Sequence, residues 1–241
     1  MKHPIEFDPA THTYTCAGQQ LTSVTTLVKE LTPPFDRDGI AARCARREGQ
    51  TVEQVLAEWD AKGKASMQRG TDCHDYIDGV LSGECDPIKA ALNERLPEMD
   101  AFDKAWLAFR ERLDARVVAK ETIVGDPELG IAGRVDVILD VTPARQDTRR
   151  CLIDWKTGTK FETQGRFGSL LPPFADVGDC ELNRYSLQLS LYRLLLEREE
   201  PGRAWGDSYL IHLRGDKSFH IHRAHDYRER ALAWLTARAS A

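Results

Sequence analysis

Apolar residues recur along this chain with two different periods, and the change from one to the other organises it. Near the start, Thr13, Tyr14 and Thr15, an Ala17-Gly18 turn and Leu21 predict a hairpin. Ser23 then stands where an N-cap is wanted, ahead of Val24, Leu27, Val28 and Leu31, and Pro33-Pro34 ends that helix. Residues 39 to 62 predict a helix on Val52, Val55, Leu56 and Trp59. A second, over 67 to 81, rests on Cys73, Ile77, Val80 and Leu81, and a third, over 98 to 116, on Phe102, Trp106, Phe109 and Leu113. From residue 117 the period falls to two. A strand is predicted over 117–124 and another over 133–141, with Val135, Val137, Leu139 and Val141 on one face and Arg134, Asp136, Ile138 and Asp140 on the other. A polar turn at 143–150 leads to a third strand at 151–157, completing a β-meander. A helix over about 181–199, a hairpin turning at Arg214-Gly215-Asp216 and a last helix carrying Tyr227, Ala231, Trp234 and Leu235 close the chain.

The stretch from 158 to 180 is rich in Gly and Pro and has no period, which is long for a connection inside a domain and suits a gating loop or an insertion. No repeat or composition break marks a boundary. The expectation is one α/β domain over 1–241, with a hairpin and helical portion over 1–116 and a core of sheet and helices over 117–241.

Composition changes this picture only by exclusion. An apolar share of 41% supports an ordinary core, and 33 basic against 38 acidic residues leave a net charge of −5, which excludes a polycation but not a local basic groove. No apolar run approaches the roughly 18 to 20 residues of a spanning helix, and MKHPIEFDPA lacks a secretory apolar stretch. A cytoplasmic protein with no membrane partner is expected. The six cysteines are scattered without a C-x-x-C pair, so neither a disulfide framework nor a structural zinc site is indicated.

Chemistry concentrates in Asp136 and Asp154-Trp155-Lys156. Residues two apart on a strand share a face, so Asp154 and Lys156 point one way and Trp155 the other, while Asp136 falls on the neighbouring strand. Two carboxylates and an ammonium at a sheet edge suit Mg²⁺ or Mn²⁺, with the Trp155 carbonyl as a further ligand. Such a site serves phosphodiester hydrolysis. Taken alone, an Asp-x-Lys triplet is better explained as a surface ion pair on an edge strand.

The surrounding residues alter that balance. YTCAGQQLTSVTTLV at 14–28, RGTDCHDYID at 69–78, Glu121, IAGRVDVI at 131–138, LIDWKTG at 152–158 and YSLQLSLY at 185–192 occur in family order. On them the chain resembles the PD-(D/E)XK nuclease superfamily, with a restriction-endonuclease-like core, and most of all its RecB-like branch of Cas4-type, mitochondrial genome-maintenance and phage exonucleases. The resemblance implies that His74, Asp136 and Asp154 bind metal, that Lys156 is the catalytic lysine, that Glu121 is an upstream acid near the metal, and that Gln188 and Tyr192 support the lysine and the scissile phosphate. For His74, Glu121 and the tyrosines, ordinary buried or exposed structural roles stay open. No cysteine follows the YxxQLxxY helix, so the iron–sulfur cluster of some branch members is not expected.

Candidate nucleic-acid contacts are Tyr185, Arg134, Arg43 and Arg47, the last two on a basic helix face with Arg46 that a solvated surface also explains. Arg145, Arg149 and Arg150 lie in or beside the polar turn, where solvation or phosphate contact fits equally. His212, His220 and His222 are expected on an exposed hairpin face. The function implied is a Mg²⁺- or Mn²⁺-dependent DNA exonuclease of repair, recombination or phage DNA metabolism, acting on single strands or free ends, with a repair or recombination protein as possible partner. A non-cleaving nuclease-fold binding module and a defence-system endonuclease stay open beside it.

Overall fold

A computed structural model describes residues 4–84, 95–166 and 168–239. In chain order the elements are β1 (Ile5–Asp8), β2 (Thr13–Cys16), β3 (Gln19–Ser23), α1 (Val24–Glu30), α2 (Arg37–Glu48), α3 (Val52–Ser82), α4 (Pro97–Leu113), β4 (Arg116–Asp126), β5 (Ile131–Val141), β6 (Arg149–Thr157), α5 (Glu181–Glu199), β7 (Tyr209–Leu213), β8 (Phe219–Arg223) and α6 (Arg228–Ala239). The Ser23 side chain accepts from the Thr26 amide at the start of α1, as its position predicts.

The two helices expected over 39–62 and 67–81 divide differently. Gly49 closes α2 in the left-handed conformation, and Thr51 with Gln54 forms a capping box that restarts the chain as α3, which then runs 31 residues without a break. Between Asp60 and Asp72 only Gly70 is not fully exposed, so that span has no buried stripe to betray a helix. α2 packs on its first part through Ala41, Ala45 and Val55.

One mixed sheet runs in the order β1-β2-β3-β5-β6-β7-β8, with β4 paired to β5. On one side of it α1, α5 and α6 bury Leu27, Leu187, Leu191, Leu195 and Leu235 against Val135, Ile138, Leu152 and Leu210. On the other, α3 and α4 bury Ile77, Phe102 and Phe109 against Val137, Leu139, Ile153 and Trp155. The loop over 158–180 is part of the first layer, contributing Leu170, Phe174 and Val177 to its core.

The strand alternation expected for 133–141 fails at one place. Val137, Leu139 and Val141 pack together, but Val135 joins the opposite layer with Ile138. The pairing shows why. β4 runs antiparallel along one edge of β5 from Ile131 to Asp140. The other edge is shared: β3 pairs in parallel with Ile131 and Ala132, and β6 pairs antiparallel with residues 137–141. Residues 133–136 therefore have no strand on that edge, and the sheet forks there. Asp136 sits at the mouth of the fork.

No helix among the described residues is long and apolar enough to cross a membrane. Among the described residues Cys44, Cys73, Cys151 and Cys180 are free thiols, and Cys85 lies outside them.

Candidate metal and phosphodiester site

The fork gathers side chains from both layers. α3 brings in His74, whose Nε2 lies 3.1 Å from the Trp155 carbonyl oxygen and whose Nδ1 lies 3.8 Å from Asp136 Oδ2. With Nε2–H donating to the carbonyl, Nδ1 turns its lone pair, or a second proton, towards a carboxylate too distant for a hydrogen bond. Gly70 of α3 faces Thr157, where a Cβ would make ordinary contact with Oγ1 at 3.6 Å. One turn earlier, Arg69 ties the helix to the buried Glu98 of α4 at 3.1 Å.

β4 supplies Glu121. Its backbone is left-handed (φ 47°), which disfavours a residue with a Cβ and marks local strain. Its Oε2 meets Arg134 Nε at 2.8 Å. One ligand atom each of His74, Glu121 and Asp136 falls within 4.8 Å of the others. A cavity of about 10 Å³, room for one water-sized body, lies among these three, Lys120 and Trp155.

Asp154 sits behind this group. It is 2% exposed, and its Oδ1 lies 2.9 Å from Lys156 Nζ. Burial, with the negative charge of Asp136 added and Lys156 opposing, pushes its carboxyl up to about 7. Burial also raises Asp136, against the pull of Lys156 and of the Trp155 amide. Burial would lower Lys156, but Asp154 and Asp136 overcome it and hold the ammonium above its usual range. Trp155 turns away as expected, its ring edge-on to Phe102 at 4.9 Å in the opposite layer.

α5 closes the floor. Lys156 Nζ lies 4.2 Å from the centre of the Tyr185 ring, a cation–π contact. Gln188 Nε2 reaches Tyr192 Oη at 3.4 Å, and burial raises the Tyr192 phenol far above its usual range. The Tyr192 ring fills the fork beside Gly133, where a Cβ would come within 2.5 Å of its Cε1. Gly133 enters the sequence reading only as part of the IAGRVDVI motif, without a packing role. A glycine inside a strand pattern, signalling close approach, was the available clue.

The fork thus unites His74, Glu121, Asp136, Asp154, Lys156, Tyr185, Gln188 and Tyr192, with Arg134 at its rim. Arg43 and Arg47 are not brought to it: α2 packs near Val55, 19 residues and roughly 28 Å of helix from His74. Two expectations are corrected. Arg150 is buried and holds Asp140 at 3.0 Å and Glu200 at 2.8 Å, so it is no free phosphate contact. His212 is buried rather than exposed, its Nε2 2.9 Å from the Gly158 carbonyl, and His222 is half-covered by the Phe161 ring.

The donor set fits a divalent cation. An imidazole, two carboxylates and a backbone carbonyl converge around a space of ionic size, and burial raises both carboxyl groups of the aspartate pair against the pull of Lys156, so a further positive charge there would be favoured.

The family model of the PD-(D/E)XK nuclease superfamily matches residues 36–239. No curated protein matches the sequence. Among solved structures, the crystal structure of the protein designated SSO0001 is similar at 16% identity and a TM-score of 0.37, over 90% of this chain and 74% of that one.

Proposed function

This chain belongs to the PD-(D/E)XK nuclease superfamily, and from that premise we propose that it is a DNA exonuclease of the RecB-like kind, acting on single strands or free ends in repair, recombination or phage DNA metabolism. The observation that carries the site assignment is the convergence of His74, Glu121 and Asp136 beside the buried Asp154–Lys156 pair. His74, Glu121, Asp136 and the Trp155 carbonyl would hold Mg²⁺ or Mn²⁺, with Asp154 as the acid behind them. A bound divalent cation supplies a water of lowered pKa and neutralises the phosphate's approach to the acids.

The chain's own residues do the rest. Asp154 fixes Lys156, and Tyr185 stacks under it, so the ammonium presents its protons to the fork in one orientation. There it donates to a non-bridging phosphate oxygen and to the attacking water oxygen. As the new P–O bond forms, the attacking water releases a proton to solvent, the opposite P–O bond breaks and the leaving oxygen takes up a proton from solvent. Gln188 and Tyr192 hold the fork open at Gly133 and keep the floor rigid. Arg134, half-exposed at the rim, offers a cation to the strand.

The test is cleavage of 5′- and 3′-labelled single-stranded, duplex and circular DNA with Mg²⁺ and with Mn²⁺. Labelled ends should be degraded and circular single strands left whole, and Lys156→Ala or Asp136→Asn should abolish turnover. A Lys156→Ala protein that digests DNA at the parent rate overturns the assignment.

A further inference from the structure

Directly after Lys156 the chain leaves β6 and curls into a bowl. Residues 160–166 line an open cavity whose wall is Phe161, with Lys160, Thr163, Gln164 and Arg166 around it. The bowl is built rather than loose. Glu181 Oε2 accepts from the Glu162 amide at 2.7 Å, and the Glu162 carbonyl accepts from the Leu182 amide at 3.0 Å, pinning it to the start of α5. Behind it Gly165 lies against Gly178 so closely that a Cβ would stand 2.5 Å from that backbone.

Phe161 is the link to the reaction centre. Its ring lies nearly parallel to His222, with centroids 4.5 Å apart at 15°, and to His212 at 5.4 Å, so it is braced in one orientation. It also stacks with Tyr185 at 6.1 Å, the same ring that carries Lys156 at 4.2 Å. Phe161 is therefore within a nucleotide or two of the ammonium. Around it, Thr163 and Gln164 make no side-chain hydrogen bond and Lys160 and Arg166 no ion pair among the described residues. An aromatic face, an amide and a hydroxyl for base edges and two uncommitted cations are the elements of a single-strand binding site.

We propose that this bowl holds a nucleobase of the substrate strand next to the scissile phosphate. Phe161 is the stacking face, Thr163 and Gln164 meet the base edge, and Lys160 and Arg166 meet the adjoining phosphates. The proposal rests on the reading of Lys156 as the reaction centre. Because the bowl is tied to α5 and backed by His222, it is preorganised, and little ordering opposes entry of the base.

The test uses full-length protein carrying Lys156→Ala, with Mg²⁺, and short single-stranded oligonucleotides bearing 2-aminopurine at or next to either end. Stacking on Phe161 should quench the fluorescence. Adding Phe161→Ala should abolish the quench and weaken binding about 5- to 100-fold, and Phe161→Trp should restore both. Because Phe161→Ala disturbs a packed ring, Lys160→Ala and Arg166→Ala on the exposed rim provide a second measurement: each should reduce the salt slope of binding by about one. An unchanged quench in a folded Phe161→Ala protein, or unchanged slopes in both rim variants, overturns the bowl. Failure of the nuclease reading looks different: the chain with Lys156 intact would leave DNA uncut in either metal while the quench persisted.

Discussion

Asp154→Asn should make the metal-free protein more stable while it destroys the proposed site. Asp154 is buried, and its carboxyl is pushed from the ordinary 3.8 to about 7 by burial first, against the pull of Lys156, and by Asp136. The folded state therefore binds a proton that the unfolded state releases above pH 4, so stability is lost as pH rises from about 4 to about 7. At 1.36 kcal/mol per decade the loss approaches about 4 kcal/mol by pH 8. An asparagine of the same shape carries no charge to bury. The rise to about 7 already includes the opposing pull of Lys156, so the gain at pH 8 is on the order of that same 4 kcal/mol, or roughly 8–16 °C in a domain of this size.

Thermal melts of both proteins in EDTA between pH 4.5 and 8 read this directly. The depressed acids elsewhere, such as Asp126 and Asp226, are common to both and cancel in the difference. The variant should be the more stable at pH 8 and converge on the parent near pH 4.5. Saturating Mn²⁺ should then raise the melting point of the parent by more than that of the variant, because the charge of Asp154 behind the ligands adds to the attraction for the cation. A difference that is zero or negative at pH 8, or that does not change with pH, would refute the claim that a carboxylate whose burial outweighs its pairing with Lys156 is stored behind the site.

Glu121→Gly should keep or raise metal-free stability by up to about 1 kcal/mol in urea melts, because glycine accepts the left-handed backbone, while calorimetry finds Mn²⁺ affinity reduced at least tenfold. Gly133→Ala should cost about 1–3 kcal/mol and slow cleavage by displacing Tyr192. The double variant Gly133→Ala/Tyr192→Ala should lose less stability than the two single losses added together. Arg150→Met should destabilise by about 2–3 kcal/mol, since Asp140 loses its buried partner, yet leave the salt dependence of DNA binding as it was, because Arg150 faces no substrate.

How much of this was legible follows from where side chains alternate and where they stop doing so. The meander, the hairpin at Ala17-Gly18, the Ser23 cap and the opposed directions of Trp155 and Lys156 are local consequences of period and turn chemistry, and the structure repeats them. α3 was half hidden because no large apolar residue but Met67 stands between Trp59 and Cys73, and exposed helix leaves no stripe. The proposed site could be read as a list of acids and a lysine, but not as an arrangement. No local pattern says that β3 and β6 share one edge of β5 and part at Asp136, because that depends on which strands pair across more than a hundred residues. The fork explains at once why Val135 and Val137 take opposite layers, why Glu121 bends into a left-handed conformation beside them, and why Gly133 must lack a Cβ to admit Tyr192. It also separates the acids by position: Asp136 and Glu121 lie with His74, and Asp154 stays behind with Lys156. A sheet paired along its full length would have buried Asp136 in a hydrogen-bonded ladder with no room for a phosphate. The chemistry therefore lies where regular pairing is given up.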